Sequence, residues 1–387
     1  MSVAKAADAA RPLIVIGPTP PPVHGSAVAT KHLVDAVSEA GALAAHLETG
    51  EDDRSTSKLG ALDPLNVYLG LKHVAMLVWL LVRNKGADVY VPISQNVWAF
   101  ARDAIFIHLG AIARRRVVIH LHGGYFGVFY AKSGAIGRRW IEATMARVDE
   151  AWVLTELHRD IFGDLIPADR VRVIENSSDD FGPPLTEPRD EPQRLRLLFL
   201  SNLMPEKGHA DVLSALELLA RRNGREGGGI DLRLAGGVDP DVAERVHERA
   251  AFLAVADIGV ELLGRVEAEV KREQFRWGDV LILPSHFLEG QPIVLLEAMS
   301  AGLPIIASDS SGIPATALDG EQALIVPVGD IEGIAAAIER LRDDAALRAV
   351  NPEWDFMSRT YVVLALANRP LTLGPGCERR PLVDQGE

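Results

Sequence analysis

Residues 287–309 read FLEGQPIVLLEAMSAGLPIIASD. Two elements lie in this stretch. PIVLLEAMSA is apolar nearly all round, the pattern of a helix buried on every side. Pro292 suits the first helical position, where a missing N–H costs little. Gly302, Leu303 and Pro304 stop the helix, and PIIASD follows as a short apolar run of strand type. A covered helix feeding a covered strand is expected of a parallel sheet buried on both faces. Two acids stand in this apolar setting, Glu289 before the helix and Glu297 inside it. An unpaired buried carboxylate is costly, so each needs a reason to be there.

The same alternation recurs outward in both directions. Runs rich in Val, Ile and Leu occupy 13–17, 88–93, 116–123, 150–155 and 171–176, then 195–202, 230–237, 259–266, 280–285, 304–309 and 323–327. Strands alternating with helices imply right-handed βαβ units. FGPPLTEPRDEPQR (181–194) breaks the pattern with proline and charge and reads as a linker. RRNGREGGGI (221–230) reads as a surface loop between a helix and the next strand. The expected fold is therefore α/β, with two doubly wound Rossmann-like domains facing across a cleft. They span 1–185 and 195–345, followed by an atypical tail at 346–387. Ligands of such sheets bind beyond the carboxyl ends of the strands, so the cleft is the expected site.

The 387 residues, 48% hydrophobic and 24% charged, describe an ordinary globular chain of two-domain length. A net charge of −13 argues against a nucleic-acid partner. Residues 1–180 carry 19 basic and 20 acidic side chains, so nearly all the excess acid lies in the second half. A near-neutral first half approaches an anionic surface more easily. Cys377 is the one cysteine, which rules out a disulfide framework or a cysteine zinc site within the chain and fits a reducing cytosol. MSVAKAADAARPLIVIG has no signal-peptide core before its first strand. NVYLGLKHVAMLVWLLV (66–82) is the most membrane-like run, but Lys72 and His73 interrupt it and it is short for a span. It reads first as a buried helix and second as an interfacial one.

Several strand ends carry residues suited to a site. After the first strand, PTPPPVHGSAVATKHL brings Gly25, which permits close backbone approach, and Ser26, a candidate helix cap. The free N–H groups of that helix suit a phosphate. No G-x-G-x-x-G occurs, so a dinucleotide reading is weak. HLHGG (120–124) puts His122 at a strand end facing the cleft, with His120 on the same strand face; no clear motif supplies a third zinc ligand, so no metal is expected. LSNLMPEKG places Lys207 in a loop ahead of a helix, as a point charge for a phosphate, and Arg265 ends another strand in LLGRV. Each of these has a plainer reading, as a structural histidine or a solvated cation. A carboxylate accepts from two sugar hydroxyls. Glu289 and Glu297 could thus each hold a sugar, with a diphosphate between them near free N–H groups. A salt-bridged or water-bound Glu297 and a solvated Glu289 are the alternatives.

Together HLHGG, SNLMPEKG, LLGRV and EGQPIVLLEAMSAGLPIIASD resemble the retaining glycosyltransferases of family 4, also called group 1, which have the GT-B fold. The two glutamates match that family's E-x7-E pattern, and SGIPATALDGEQALIVPVGD (311–330) and VRVIENSSDD also resemble its segments. The likeness covers roughly 12 to 345 and is most specific from 280 to 330.

The resemblance implies a metal-independent, retaining transfer of a sugar from a UDP- or GDP-linked donor to an acceptor hydroxyl. The setting it implies is polysaccharide or glycoconjugate synthesis in the cytoplasm, with a carbohydrate or lipid-linked acceptor. Peripheral membrane contact through the first domain is expected from its near-neutral charge, the apolar 66–82 run and Arg114, Arg115 and Arg116, which could equally form a solvated turn. The resemblance implies no cofactor beyond the nucleotide sugar itself. By the same resemblance Glu289 contacts the transferred sugar, with the backbone of Gly290 and Gln291 beside it. Glu297 holds the ribose, Lys207 neutralises the diphosphate, Gly25 admits the phosphates, His122 lies near the sugar, and the backbone of Arg265 and Val266 faces the base. Asn202 stands among the donor-binding positions where many members have an arginine, so a bidentate cation is lost there. His24 replaces the first of a usual glycine pair, and the tail has no clear amphipathic helix. A nucleotide-sugar epimerase or hydrolase on the same fold, or a non-catalytic binding protein, are the competing readings.

Overall fold

The computed structural model describes residues 11–21, 23–50, 64–178, 194–224, 229–344 and 347–348. Among them, twelve strands form two six-stranded sheets, parallel throughout. The first sheet holds β1 (Leu13–Gly17), β2 (Leu43–Glu48), β3 (Asp88–Pro92), β4 (Val117–His120), β5 (Glu150–Val153) and β6 (Val171–Val173), in the order β2-β1-β3-β4-β5-β6. The second holds β7 (Leu195–Leu200), β8 (Ile230–Ala235), β9 (Ile258–Gly264), β10 (Val280–Leu283), β11 (Ile305–Ser308) and β12 (Ala323–Val326), in the order β12-β11-β10-β7-β8-β9. In each sheet the chain runs out to one edge and restarts beside its first strand. The direction therefore reverses between β1 and β3 and between β7 and β10, and a crevice opens at each reversal beyond the strand ends.

Helices α1 (Gly25–Glu39), α2 (Pro64–Arg83), α3 (Val97–Ile112), α4 (Phe126–Lys132) and α5 (Ala135–Met145) accompany the first sheet. Helices α6 (His209–Asn223), α7 (Pro240–Ala254), α8 (Ala268–Trp277), α9 (Ile293–Ser300), α10 (Ile313–Thr316) and α11 (Ile331–Asp343) accompany the second. Strand residues such as Val89, Ile119, Leu197, Ile282 and Ile306 are fully buried, as covered faces require. The doubly wound α/β expectation holds, and each of the eleven strand runs forms a strand, with its ends trimmed. β2 was not foreseen. LAAHLE has no β-branched residue and lies at a half-exposed edge, so neither propensity nor continuous burial marks it.

Three local expectations change. Pro292 is the cap of α9, at φ −64° and ψ 118°, rather than its first helical residue. His24, not Ser26, caps α1: its Nδ1 accepts from the Ala27 N–H at 3.2 Å, and the Ser26 hydroxyl lies 3.0 Å from the same nitrogen. Helix α2 is not buried all round. Leu77, Leu80 and Leu81 enter the core, while Tyr68, Leu71, Trp79 and Val82 face outward. Among the described residues no helix is long and apolar enough to cross a membrane. Of the adjacent Arg114, Arg115 and Arg116, Arg116 bonds Asp88 and Glu150 at 3.2 and 2.6 Å, and Arg115 donates to the Leu81 carbonyl at 2.9 Å. Arg114 is exposed with φ +54°, just beyond α3. The linker before Arg194 and, apart from residues 347–348, the tail from 346 with Cys377 lie outside the described residues.

The 203–208 loop is locked to the loop after β10. The Glu206 carbonyl accepts from the N–H groups of His286 at 2.8 Å and Phe287 at 3.1 Å. Gly208 has φ +82°, and a Cβ there would stand 2.0 Å from the Pro284 carbonyl oxygen. Gly208→Ala is therefore expected to destabilise the protein by about 3 kcal/mol or more, from backbone strain and the clash together. Thermal or urea unfolding measures this, and an unchanged midpoint would mean that the two loops do not constrain each other.

Candidate active site

The two sheets meet through backbone. Gly124 N–H donates to the Leu288 carbonyl at 2.9 Å, and Gly123 and Glu289 form an isolated antiparallel bridge. Only glycine fits along this seam. A Cβ on Gly290 would lie 2.4 Å from the His122 carbonyl oxygen, and one on Gly124 would lie 2.2 Å from the Ser311 hydroxyl. Side chains fasten the seam on either flank. Gln291 accepts from the Asn176 N–H at 2.6 Å through Oε1, and its carbonyl accepts from Asn176 Nδ2 at 2.9 Å. His158 Nε2 lies 2.9 Å from the Ser311 hydroxyl.

Lys207 follows β7 and Glu289 follows β10, so the pair straddles the reversal point of the second sheet. Lys207 Nζ donates to Glu289 Oε1 at 2.6 Å, and the Ser285 hydroxyl donates to the same oxygen at 2.9 Å. Both bonds fall on Oε1, which leaves Oε2 to accept from a ligand. An ammonium has three donors, so Lys207 keeps capacity beyond its bond to Glu289. Its Nζ also stands 4.8 Å from the Phe287 ring centroid.

Glu297 lies on α9 at 1% exposure and pairs with Lys271 of α8. A carboxylate taken out of water this completely is tolerable when paired. The salt-bridge alternative for Glu297 thus describes what the side chain does here. Nothing in the sequence singled out Lys271, one of several charged residues on a polar helix.

On the first domain, the Tyr90 hydroxyl lies 2.9 Å from His120 Nδ1 and 3.2 Å from His122 Nε2. Trp152 packs against both Tyr90 and His120. His122 Nδ1 is shut off from solvent with no hydrogen-bond partner. A cavity of about 20 Å³, enough for one water, lies against His120, His122 and His32 of α1. His32 Nδ1 lies 3.0 Å from the Ser177 carbonyl oxygen. Burial lowers the pKa of His122 to about 4, and burial together with His122 lowers that of His120 well below its ordinary value. Burial also lowers His24 and His158. Gly25 opens α1 beyond β1, and a Cβ added there would meet nothing within 4 Å.

The remaining expected residues form a second group. Asn202 Oδ1 accepts from the Gly237 N–H at 3.0 Å, and a Cβ on Gly237 would lie 3.5 Å from Arg265 Nη2. Asn202 and Arg265 thus flank one glycine, with Val266 just beyond β9. The structure brings Glu289, Lys207, Gly290 and Gln291 to the His122–Gly124 segment. Gln291 spends its side chain on Asn176. Tyr90, Ser285, Asn176, His158 and Ser311 were not singled out; Asn176 and Ser311 lie inside the quoted segments VRVIENSSDD and SGIPATALDG, while Tyr90, mid-strand in β3, Ser285 and His158 stand in no motif. Among the described residues no group of three or more His, Cys, Asp or Glu side chains is placed to hold a metal ion.

The sequence model of the glycosyl transferases group 1 matches residues 194–344. A phosphatidyl-myo-inositol mannosyltransferase of Mycolicibacterium smegmatis is 34% identical over 145 residues, covering 38% of this chain and 35% of that protein. The chain thus spans about a third of that relative's length. In fold, the chain resembles sucrose-phosphate synthase from Thermosynechococcus elongatus, at TM-score 0.63 and 18% identity over 92% of this chain and 95% of the other. It equally resembles Anabaena Alr3699/HepE, solved with UDP-glucose, at TM-score 0.63 and 17% identity over 92% and 94% of the two chains.

Two predictions follow from the seam and the histidines. Gly290→Ala is expected to push the His122 carbonyl away and open the two domains, visible as a larger radius of gyration in solution scattering with each sheet still folded. An unchanged radius would show that the seam does not hold the domains. The second concerns pH. A histidine whose folded pKa is depressed takes up its proton more readily when unfolded, so stability is full above about 6.5 and falls toward pH 4. His122 alone contributes up to roughly 3 kcal/mol of that loss. Urea unfolding across this window should show the decline, and His122→Gln should flatten it.

Proposed function

From the premise that its second domain is that of the group 1 glycosyltransferases, on a GT-B fold, we propose that this chain is a retaining, metal-independent glycosyltransferase. It moves a sugar from a UDP- or GDP-linked donor to an acceptor hydroxyl, in the synthesis of a polysaccharide or glycoconjugate. The observation that carries the reading is the Lys207–Glu289 pair at the reversal point, with Glu289 Oε2 left to accept.

The donor diphosphate sits between Lys207 and the N-terminus of α1 at Gly25, where free N–H groups and a missing side chain suit phosphate oxygens. Glu289 accepts from hydroxyls of the transferred sugar, and the Gly290 backbone lies beside it. Glu297, paired with Lys271, holds the ribose. Arg265 stands next to Asn202 and supplies a cation near the position where the arginine is missing; the backbone of Arg265 and Val266 faces the base. The sugar–phosphate bond breaks with its electron pair passing to the diphosphate. The acceptor oxygen bonds to the same face of the sugar, and its proton passes to the departing phosphate. Fixed positive charge at the leaving group lowers this barrier, and the close contact of the domains excludes water. The mannosyltransferase relative is named for phosphatidyl-myo-inositol, which favours a lipid-linked acceptor met at the cytoplasmic face of a membrane.

Lys207→Ala and Glu289→Gln are each expected to cut nucleotide release in the presence of donor and acceptor by about a hundredfold or more. The melting temperature should stay close to the parent's for Glu289→Gln and fall for Lys207→Ala, which leaves a buried carboxylate without its cation, while both variants remain folded. Product analysis separates the competing chemistries, since an epimerised or free sugar in place of a glycosylated acceptor would overturn transfer. Undiminished release in both variants would overturn the site.

A further inference from the structure

Helices α2 and α3 lie against each other on the outside of the first sheet, and their solvent face is apolar. Leu71, Trp79 and Val82 of α2 are 54–68% exposed. On α3, Trp98, Ile105 and Ile112 are exposed at seven-residue spacing, which places them on one stripe. Between the C-terminal parts of the two helices runs a groove of about 520 Å³, lined by Val78, Val82, Leu109 and Ile112 together with Lys85 and Arg115. Scattered exposed apolar residues are ordinary, but a continuous patch around a groove marks an interaction surface.

The charges on this face have one sign. Across 68–85 and 97–115 the charged side chains are Lys72, Arg83, Lys85, Arg102, Arg114, Arg115 and a single acid, Asp103. Asp103 is buried and bonded to Arg102. The chain as a whole carries −13, so a cationic rim around an apolar patch runs against its own average. We propose that the α2–α3 face docks on an anionic lipid bilayer, with the groove accommodating acyl chain and the rim cations facing headgroup phosphates. A second copy of the chain would set the same basic rim against itself.

Helix α3 starts just beyond the carboxyl end of β3. Asn96 caps α3 directly after Gln95, whose Oε1 accepts from Tyr125 N–H at 2.5 Å beside the Gly123–Gly124 seam. The Trp98 end of the patch therefore lies nearest the mouth of the site, while the groove with Lys85 and Arg115 lies toward the opposite end of the two helices. Such docking deepens the reading of a surface-bound acceptor. Vesicle binding needs no donor, so docking can fail while transfer to a soluble acceptor stands, and the reverse.

The test is co-sedimentation of the full chain with phosphatidylcholine vesicles, with and without phosphatidylglycerol, at low and high salt. Binding is expected with the anionic vesicles and should weaken at high salt. Lys85→Glu should lower the affinity about fivefold or more, and Trp79→Glu combined with Val82→Glu should lower it further. All three side chains are exposed, so melting temperatures should be unchanged, which separates lost docking from lost folding. Indifference to phosphatidylglycerol, or full binding by the variants, would overturn the proposal. So would a concentration-dependent dimer abolished by the same substitutions, which would assign the face to a second copy.

Discussion

The site depends on one constraint: two backbones pass so close that no side chain fits between them. HLHGG from the first domain and LEGQ from the second touch through main-chain atoms, at the Gly124–Leu288 bond and the Gly123–Glu289 bridge. A Cβ on Gly312 would lie 1.6 Å from the Gly290 carbonyl oxygen, so the next loop of the second domain is held by the same rule. Backbone contact fixes register more tightly than a pair of flexible side chains would. It sets Glu289 opposite Gly123, one residue beyond His122, and the Asn176–Gln291 and His158–Ser311 contacts also join the two domains.

Within that frame the two glutamates meet the cost of burial in the same way, each against a lysine from a different element. The consequences differ. Glu297 is enclosed at 1% exposure, and Lys271 reaches it from α8. Glu289 stands at the edge of the cleft at 8% exposure, with both of its bonds on one oxygen. A buried ion pair is weak evidence for stability, since an apolar replacement is often no worse. The asymmetry at Glu289 carries more meaning, because Lys207 and Ser285 both bond Oε1 and leave Oε2 the capacity to accept.

Much of this was legible in the sequence because the cues are local. Continuous Val, Ile and Leu runs gave eleven strands, and Gly302 marked the end of α9, where its φ is +75°. The motif at 287–309 located the glutamates. What stayed hidden depends on tertiary contact. LAAHLE becomes a strand only by pairing with β1. Lys271 looks like any lysine on a polar helix until α8 packs beside α9. The apolar run in α2 read as buried because composition cannot say which elements cover a helix; one side meets the core and the other meets solvent. His24 displaced Ser26 as a cap because its ring nitrogen, kept neutral by burial, accepts the Ala27 N–H.

The Tyr90 hydroxyl ties the histidines into one unit, for it has a single proton to share between two rings. If Tyr90 donates to His120 Nδ1, then His122 must donate from Nε2, and its Nδ1 is an acceptor. If Tyr90 donates to His122 Nε2, then the proton of His122 sits on Nδ1, which has no protein acceptor. In both arrangements His122 is neutral at physiological pH, because burial holds its pKa near 4. A group that weakly basic is a poor acceptor for a hydroxyl proton, and Glu289 is engaged by a cation and a hydroxyl. In the proposed reaction the strongest base near the attacking hydroxyl is then the diphosphate itself, which gains negative charge as the bond to the sugar breaks. In that reaction attack and departure occur on one face, with Lys207 as the charge that makes departure possible.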